Sequence, residues 1–352
     1  MDLIDDKKVN NFLNKHIFSN AIKYINDISD FKENTFEPIC IQSDSAFLIR
    51  RFVEFIKNKI NPNIGKILKI NEHKLNSNKN LVFNTKTSSY HIEITPSEHG
   101  IYDKNIINEY LYDISSSSNV ITSKKKNIIV WSIDNLGIIA QECLQNLILE
   151  NNQCANFICT SFNESKISPS LKSILNIINI KINRDHLNLY YNEYLKSKIN
   201  KEEFENIIEK SKMVPDKIDI GYFFHNIFLL ENNIESDDMT TYFQKHIVNF
   251  YNKIKKIKKI DITFCEYLRN NLYEYYVNHI NSSDMLKILI ELIITDNELD
   301  DNFKKEICDS AIKYDINSKK GNKSVIHLEA FILDFLYKKN SRSNKNKVSK
   351  KI

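Results

Sequence analysis

Glycine and proline are scarce in this chain, 5 of each among 352 residues, and there is one tryptophan. So few glycines exclude the glycine-rich loops that wrap backbone N–H groups around phosphates, and collagen-like or low-complexity Gly/Pro architectures. The 6 cysteines, Cys40, Cys143, Cys154, Cys159, Cys265 and Cys308, include no C-x-x-C pair. That excludes the usual zinc-ribbon and dithiol spacings and leaves free thiols in a reducing compartment as the expectation. No apolar run is long enough to span a membrane, and the start MDLIDDKKVNNF lacks the apolar core of a secretory signal. Charge is close to balanced, 49 Lys+Arg against 45 Asp+Glu for a net +4. That is compatible with nucleic acid as a partner but does not argue for it alone. Hydrophobic residues at 42% and charged residues at 27% are ordinary for a globular protein, and the length suggests two or three domains.

The stretch Tyr90–Leu111, YHIEITPSEHGIYDKNIINEYL, organises what is present. Tyr90–Ile94 alternates as a strand, Thr95–Gly100 is a cluster of breakers, and Asp103 stands where it can cap a helix. Ile106, Ile107, Tyr110 and Leu111 then recur at helical spacing. A glycine spent at 100 in so glycine-poor a chain predicts a positive φ or a close approach of another segment. The pattern strand–loop–helix recurs. PICI at 38–41 is a short buried strand before the amphipathic helix Arg50–Ile60. NIIVWSID at 127–134 reads as a parallel strand covered on both faces, followed by a helix over 135–150. NFICT at 156–160 and SILNIINIKI at 173–182 supply further strands, and Ile67–Ile70 and Leu81–Phe83 two short ones flanking a polar loop, NEHKLNSNKN. Met1–Phe36 reads as helix, as do 186–194, 202–210, 220–231 and 240–254, and from 261 to 337 almost every apolar residue recurs at helical spacing. A doubly wound α/β portion followed by all-helical portions is the expected layout.

The places where nucleotide chemistry would sit are conspicuous for what they hold. After the strand at 38–41 a P-loop needs glycines and a Lys-Ser/Thr pair, but Gln42, Ser43, Asp44 and Ser45 lead instead to Phe47, Leu48, Ile49, Arg50 and Arg51. The strand at 127–134 would end in tandem acids to hold Mg²⁺, but Trp131 and Ser132 stand there and only Asp134 remains. Two basic features, the loop SSSSNVITSKKK at 115–126 and NKIKKIKKI at 252–260, are read as solvated lysine faces. His91 and His99 have no second ligand at metal spacing and are read as structural.

These blocks resemble the small subunits of replication factor C, the sliding-clamp loader, and most closely its E-position type. YHIEITPSEHG and the helix after it match that family's strand–loop–helix. NIIVWSIDNLGIIAQECLQNLILEN is similar to its Walker B strand and helix, residues 155–180 to its sensor-1 segment, and GNKSVIHLEAFILDFL (321–336) to its C-terminal block. The resemblance covers 38–336 and implies an AAA+-like doubly wound parallel sheet domain (1–182), a helical lid (183–235), a helical collar domain (236–340) and a basic disordered tail (341–352). It implies a non-catalytic subunit of a hetero-pentamer with other replication factor C subunits, the sliding clamp and primer–template DNA as partners and no membrane. ATP and Mg²⁺ would be bound by neighbouring subunits and no cofactor by this one. The departures carry that expectation: a degenerate P-loop at Gln42, Ser43, Asp44, Ser45 and Arg50, and a degenerate Walker B at Trp131, Ser132 and Asp134. Ile174 takes the arginine-finger position and Phe224 the sensor-2 position. No catalytic or metal-binding residue is expected. The family places DNA near the helix after Gly100, so Lys104 and Asn105, with Lys124 and Lys125, are the expected DNA contacts; Leu144, Leu147 and Leu149 are candidates for the clamp, with core packing the better account of at least some of them. The alternatives are a divergent active ATPase using Arg50 or Arg51 and Asp134, and a repurposed scaffold outside the loader. The nucleus is the expected location, a cytoplasmic viral replication site the alternative.

Overall fold

The structure is a computed structural model that describes residues 7–30, 33–60, 69–77, 81–116, 125–214, 217–231, 242–277, 282–320 and 324–348. Two compact units result, residues 1–205 and residues 206–352, the division falling within the helix Lys201–Lys210.

The first unit is built on a seven-stranded sheet. Its strands are β1 (Ile39–Gln42), β2 (Lys69–Lys74), β3 (Val82–Thr87), β4 (His91–Ile94), β5 (Lys126–Val130), β6 (Ala155–Ser161) and β7 (Asn176–Asn179), in the order β2-β3-β4-β5-β6-β1-β7. The five strands β4-β5-β6-β1-β7 run parallel, while β2 and β3 add an antiparallel edge. The central strands are those with unbroken apolar runs: all of ICIQ and all of ANFICTS is buried, as a strand covered on both faces requires. Residues 71–74 were expected to lie in a polar loop but form most of β2. That strand is solvated on both sides apart from half-buried His73, so it has no apolar alternation to betray it.

Helix α1 (Lys7–Phe12) passes through a π-helical turn, Leu13–Ile17, towards α2 (Ser19–Ile28). The expected helix does not reach 36: Ser29–Asp30 pairs with Thr35–Phe36 as a small hairpin. Helix α3 (Ala46–Ile60) buries Leu48, Ile49, Phe52, Val53 and Ile56, one stripe at helical spacing. Helix α4 runs from Asp103–Asn105 through a π-helical segment, Ile106–Leu111, to Tyr112–Ser115. Helix α5 (Ile138–Asn151) packs Ala140, Leu144, Leu147 and Ile148 into the core. Leu144 and Leu147 are therefore spent on packing and are not free to touch a clamp, whereas Leu149 is 52% exposed. The short α6 (Pro169–Lys172) precedes β7, and α7 (Arg184–Tyr190) and α8 (Lys201–Lys210) follow it.

In the second unit, α9 (Ile220–Glu231) follows a two-strand ladder, Lys212–Val214 with Lys217–Ile218. Then come α10 (Tyr242–Ile254), α11 (Ile262–Val277), α12 (Ser282–Thr295), α13 (Asp301–Lys320) and α14 (Ser324–Val348). Their shared core includes Phe250, Leu268, Leu289, Phe303, Phe331 and Phe335. Helix α10 stops at Ile254, so Lys258 and Lys259 lie in a loop rather than on the expected helix face. The tail expected to be disordered from 341 is helical through Val348. Arg342 shows why at its first turn: it pairs with Asp300 at 3.2 Å and Glu306 at 2.7 Å and lies over the Phe303 ring. No helix among the described residues is long and apolar enough to cross a membrane.

Candidate functional site

Ligands of open α/β sheets bind beyond the carboxyl ends of the strands. Here the register sets Gln42 beside Ser161, and Val130 beside Cys159, so the ends of β1, β5 and β6 lie side by side. Three residues, Ser43, Asp44 and Ser45, connect β1 to α3. The Ser43 N–H donates to the Ser161 carbonyl (3.2 Å), which prolongs the sheet ladder, and the Ser45 N–H donates to Ser43 Oγ (3.3 Å). Gln42 Nε2 donates to the Phe162 carbonyl (3.4 Å). Asp44 and Arg50 are exposed. Arg51 lies over the Phe47 ring, 3.5 Å from Glu54.

The end of β5 is equally committed. The Trp131 backbone N–H donates to Ile94, and its indole Nε1 donates to Glu93 Oε2 at 3.2 Å. Glu93 Oε1 also accepts from Lys57 at 2.9 Å and pairs with His91 Nε2 at 3.1 Å. An ionised carboxylate only accepts, so His91 donates through Nε2 and takes the Ser88 hydroxyl, 2.7 Å away, on Nδ1. Burial alone would raise the Glu93 carboxyl, but the His91 hydrogen bond with the Lys57 charge and hydrogen bond holds it down to about 2. Ser132 has left-handed backbone, φ 55, and its N–H donates to Thr160 Oγ1 at 2.9 Å. Asp134 is 3% exposed; its Oδ2 accepts from the Asn163 N–H at 3.1 Å. Burial pushes its carboxyl up to about 6 against the backbone hydrogen bonds it accepts. The Asn163 side chain caps the next turn, accepting from Ser165 N–H at 3.0 Å. Ile174 packs half-buried against the sheet's own core, and Lys172 Nζ lies 3.3 Å from Glu164. Phe224 is buried within the second unit.

Gly100 has φ 60 and ψ −117, a region open essentially to glycine alone, and a Cβ there would meet nothing within 4 Å. Backbone conformation, not space, is what it supplies. Just beyond it, one buried carboxylate serves two helix starts: Asp103 Oδ1 accepts from Lys104 N–H and Oδ2 from Gly137 N–H, each at 2.8 Å. Gly137 is the N-cap of α5, and a Cβ there would press on the Asp103 carboxylate at 3.3 Å. Lys104 is exposed, and Asn105 Nδ2 reaches Ser77 Oγ at 3.4 Å. Lys125 Nζ donates to the Asn152 carbonyl at 2.6 Å. Lys104 follows the carboxyl end of β4, whereas Lys125 precedes the amino end of its parallel neighbour β5. Lys124 lies outside the described residues.

Residues 243–342 match the family model described as the C-terminal domain of replication factor C subunit 3. Replication factor C subunit 3 of Bos taurus is 22% identical over 282 residues, covering 75% of each chain. The probable replication factor C subunit 3 of Dictyostelium discoideum is 27% identical over 274 residues, 75% of this chain and 77% of that one. The chain is a relative of the replication factor C small subunits. Among solved structures, a DNA polymerase III gamma subunit-related protein from Thermotoga maritima covers 91% of this chain at 11% identity with a TM-score of 0.41. The expected largely parallel sheet unit and helical C-terminal portion are both present, the antiparallel edge β2-β3 being the departure from a wholly parallel sheet.

Sequence reasoning missed three features. Glu93 sits on the alternating strand β4 and reads as a solvent-facing acid, yet it is the buried hub of Lys57, His91 and Trp131. The Asp103–Gly137 contact joins residues 34 apart, and only the order Asp-then-Gly at two helix starts hinted at it. Asp134 reads as the remnant of a metal site, while its visible partner is a backbone N–H.

Proposed function

We propose that this chain is a non-catalytic subunit of a replication factor C-type sliding-clamp loader that works in the nucleus during DNA replication. It occupies the position that closes the pentamer. Its C-terminal helices, α10–α14, join the collar, and its α/β unit sits over the clamp and the primer–template DNA. ATP and Mg²⁺ act in neighbouring subunits. The observation that carries this reading is that the β1–α3 connection and the ends of β5 and β6 spend hydrogen-bonding groups on one another where a nucleotide would need them, with only Asp44 and Arg50 of the degenerate P-loop left exposed. Ser43 and Ser45 N–H, Gln42, Ser132 and Asp134 are hydrogen-bonded within the chain. A three-residue β1–α3 connection with two amides already used does not fit a triphosphate, which needs several free N–H groups and a lysine. Ile174, packed against the core, offers no charge to a neighbour's transition state, a role worth orders of magnitude in rate when an arginine fills it.

The test has two parts. Tagged chain expressed with the other loader subunits should co-purify with them as one assembly, and alone it should show no saturable binding of a fluorescent ATP analogue with Mg²⁺ at micromolar concentration. Purification apart from every loader subunit removes the assembly role; micromolar analogue binding removes the non-catalytic one.

A further inference from the structure

The peptide group between Phe162 and Asn163, just past the end of β6, is held from both sides. Gln42 Nε2 donates to its carbonyl at 3.4 Å, and Asp134 Oδ2 accepts from its N–H at 3.1 Å. The described residues contain no cis peptide, so this carbonyl and N–H point in opposite directions. One side chain therefore approaches from the end of β1 and the other from beyond β5. Two further bonds run alongside: Ser43 N–H to the Ser161 carbonyl, and Ser132 N–H to Thr160 Oγ1. Four hydrogen bonds thus tie the end of β6 to both neighbours. Ser132 is held in a left-handed conformation that a non-glycine residue keeps only where its surroundings enforce it. Asp134 is nearly enclosed, and its Oδ1 has no hydrogen-bond partner among the described residues. A buried acid with one satisfied oxygen is costly to keep. Nothing in packing alone calls for an acid there, whereas a strong acceptor for the Asn163 N–H does.

We infer that Asp134 and Gln42 form a permanent clamp on the 162–163 peptide, which holds the carboxyl ends of β1, β5 and β6 in one arrangement whether or not nucleotide is present. This deepens the reading of a subunit that does not use ATP, and rests on it. In a nucleotide-driven subunit, these strand ends are ordered by phosphate contacts and change with them. Here the ordering contacts are built in, so the α/β unit presents a fixed face to its neighbours. Asp134 is a positioning residue in this scheme, acting through the backbone of Asn163.

Amide hydrogen exchange on the full-length chain, read by mass spectrometry with and without Mg·ATP, tests the clamp. In the wild type, peptides over 158–165 should exchange at the same rate in both conditions. Asp134→Ala should speed exchange there by about tenfold, the scale of losing one charge-assisted hydrogen bond. Asp134→Asn keeps a carbonyl acceptor and should hold exchange near wild type, which a mere loss of buried charge would not explain. Exchange over α3 (46–60) and α1–α2 (7–28), in the same unit, should be unaffected throughout, reporting that each variant is folded. If Asp134→Ala does not fold, Gln42→Ala removes the opposite jaw and should give the same local acceleration. Slower wild-type exchange on adding Mg·ATP would overturn both the clamp and the ATP-independent reading. Nucleotide-insensitive exchange that neither Asp134→Ala nor Gln42→Ala accelerates would overturn the clamp alone.

Discussion

Glu93 and Asp134 are both buried carboxylates on neighbouring parts of one sheet, and their surroundings push them in opposite directions. Glu93 has two cationic or cation-capable partners and an indole N–H, and titrates near 2 instead of 4.5. Its folded-state value lies below its unfolded one, so it contributes stability above about pH 4.5 that is lost as pH falls towards 2. Asp134 has backbone donors and the more distant Lys166 charge, but desolvation wins, raising it from 3.8 to about 6. Its folded-state value lies above its unfolded one, so stability declines as pH rises from about 4 to 6. Each shift corresponds to about 3 kcal/mol at its limit. Urea titrations from pH 3 to 8 should therefore show Glu93→Gln losing about that much at pH 7 and keeping little of the difference at pH 3. Asp134→Asn should flatten the decline between pH 4 and 6.5 and be the more stable protein at pH 7.5. A wild-type profile that keeps its full decline in Asp134→Asn would mean another group is responsible. These two residues also mark a limit of sequence reading: Glu93 alternates correctly and Asp134 sits where an acid is expected, but what decides their chemistry is which residues from β1, α3 and β6 surround them.

At the scale of elements, two helix starts share one acid. A helix N-terminus carries partial positive charge, the feature that makes it receptive to phosphate. Asp103 cancels part of that field at both. Replacing it with alanine removes two hydrogen bonds to backbone N–H groups at once and should lower stability by about 2 kcal/mol, measured by urea denaturation. Its effect on DNA should be the reverse. In the assembled loader, Asp103→Asn should strengthen binding to primed DNA at low salt, because the buried negative charge behind Lys104 is removed. Lys104→Glu should weaken binding and reduce the salt slope by about one. If neither variant moves the affinity, the 103–105 helix start takes no part in DNA contact. The strand–loop–helix that frames this site was legible because its elements declare themselves locally: alternation in 90–94, breakers in 95–100, helical spacing from 106. Gly100 was legible by its rarity. The edge strand β2 was not, since a strand solvated on both faces has the composition of a loop; the core positions of Leu144 and Leu147 were legible in part, since both fall on the apolar side of α5, but that stripe does not say which of its leucines the sheet covers.

For the whole molecule, the division of labour implied by the proposed assembly has a consequence in the helical C-terminal unit. Helix α13 turns Phe303, Ile307 and Ala311 into the core, which accounts for its apolar stripe. Ile312 and Ile316 lie one turn apart on its other side, 60% and 47% exposed, next to exposed Lys305, Asp309 and Lys313. Two isoleucines spaced four apart on a solvated face add nothing to this unit's own core, and a subunit that completes a collar needs apolar surface on the outside of its helices. Ile312→Glu with Ile316→Glu should therefore leave thermal stability of the isolated chain almost unchanged, as surface substitutions do within about 0.5 kcal/mol each. The same pair should abolish co-purification with the other loader subunits. Leu268→Ala is the necessary contrast. That side chain is fully buried in the same core, so its truncation should cost about 2–5 kcal/mol and reduce assembly only in proportion to unfolding. Assembly that survives the double glutamate variant would remove this face of α13 from the collar contact, whereas loss of assembly with an unchanged melting curve would place the contact there and leave the α/β unit's fixed edge to act on whatever the completed ring encloses.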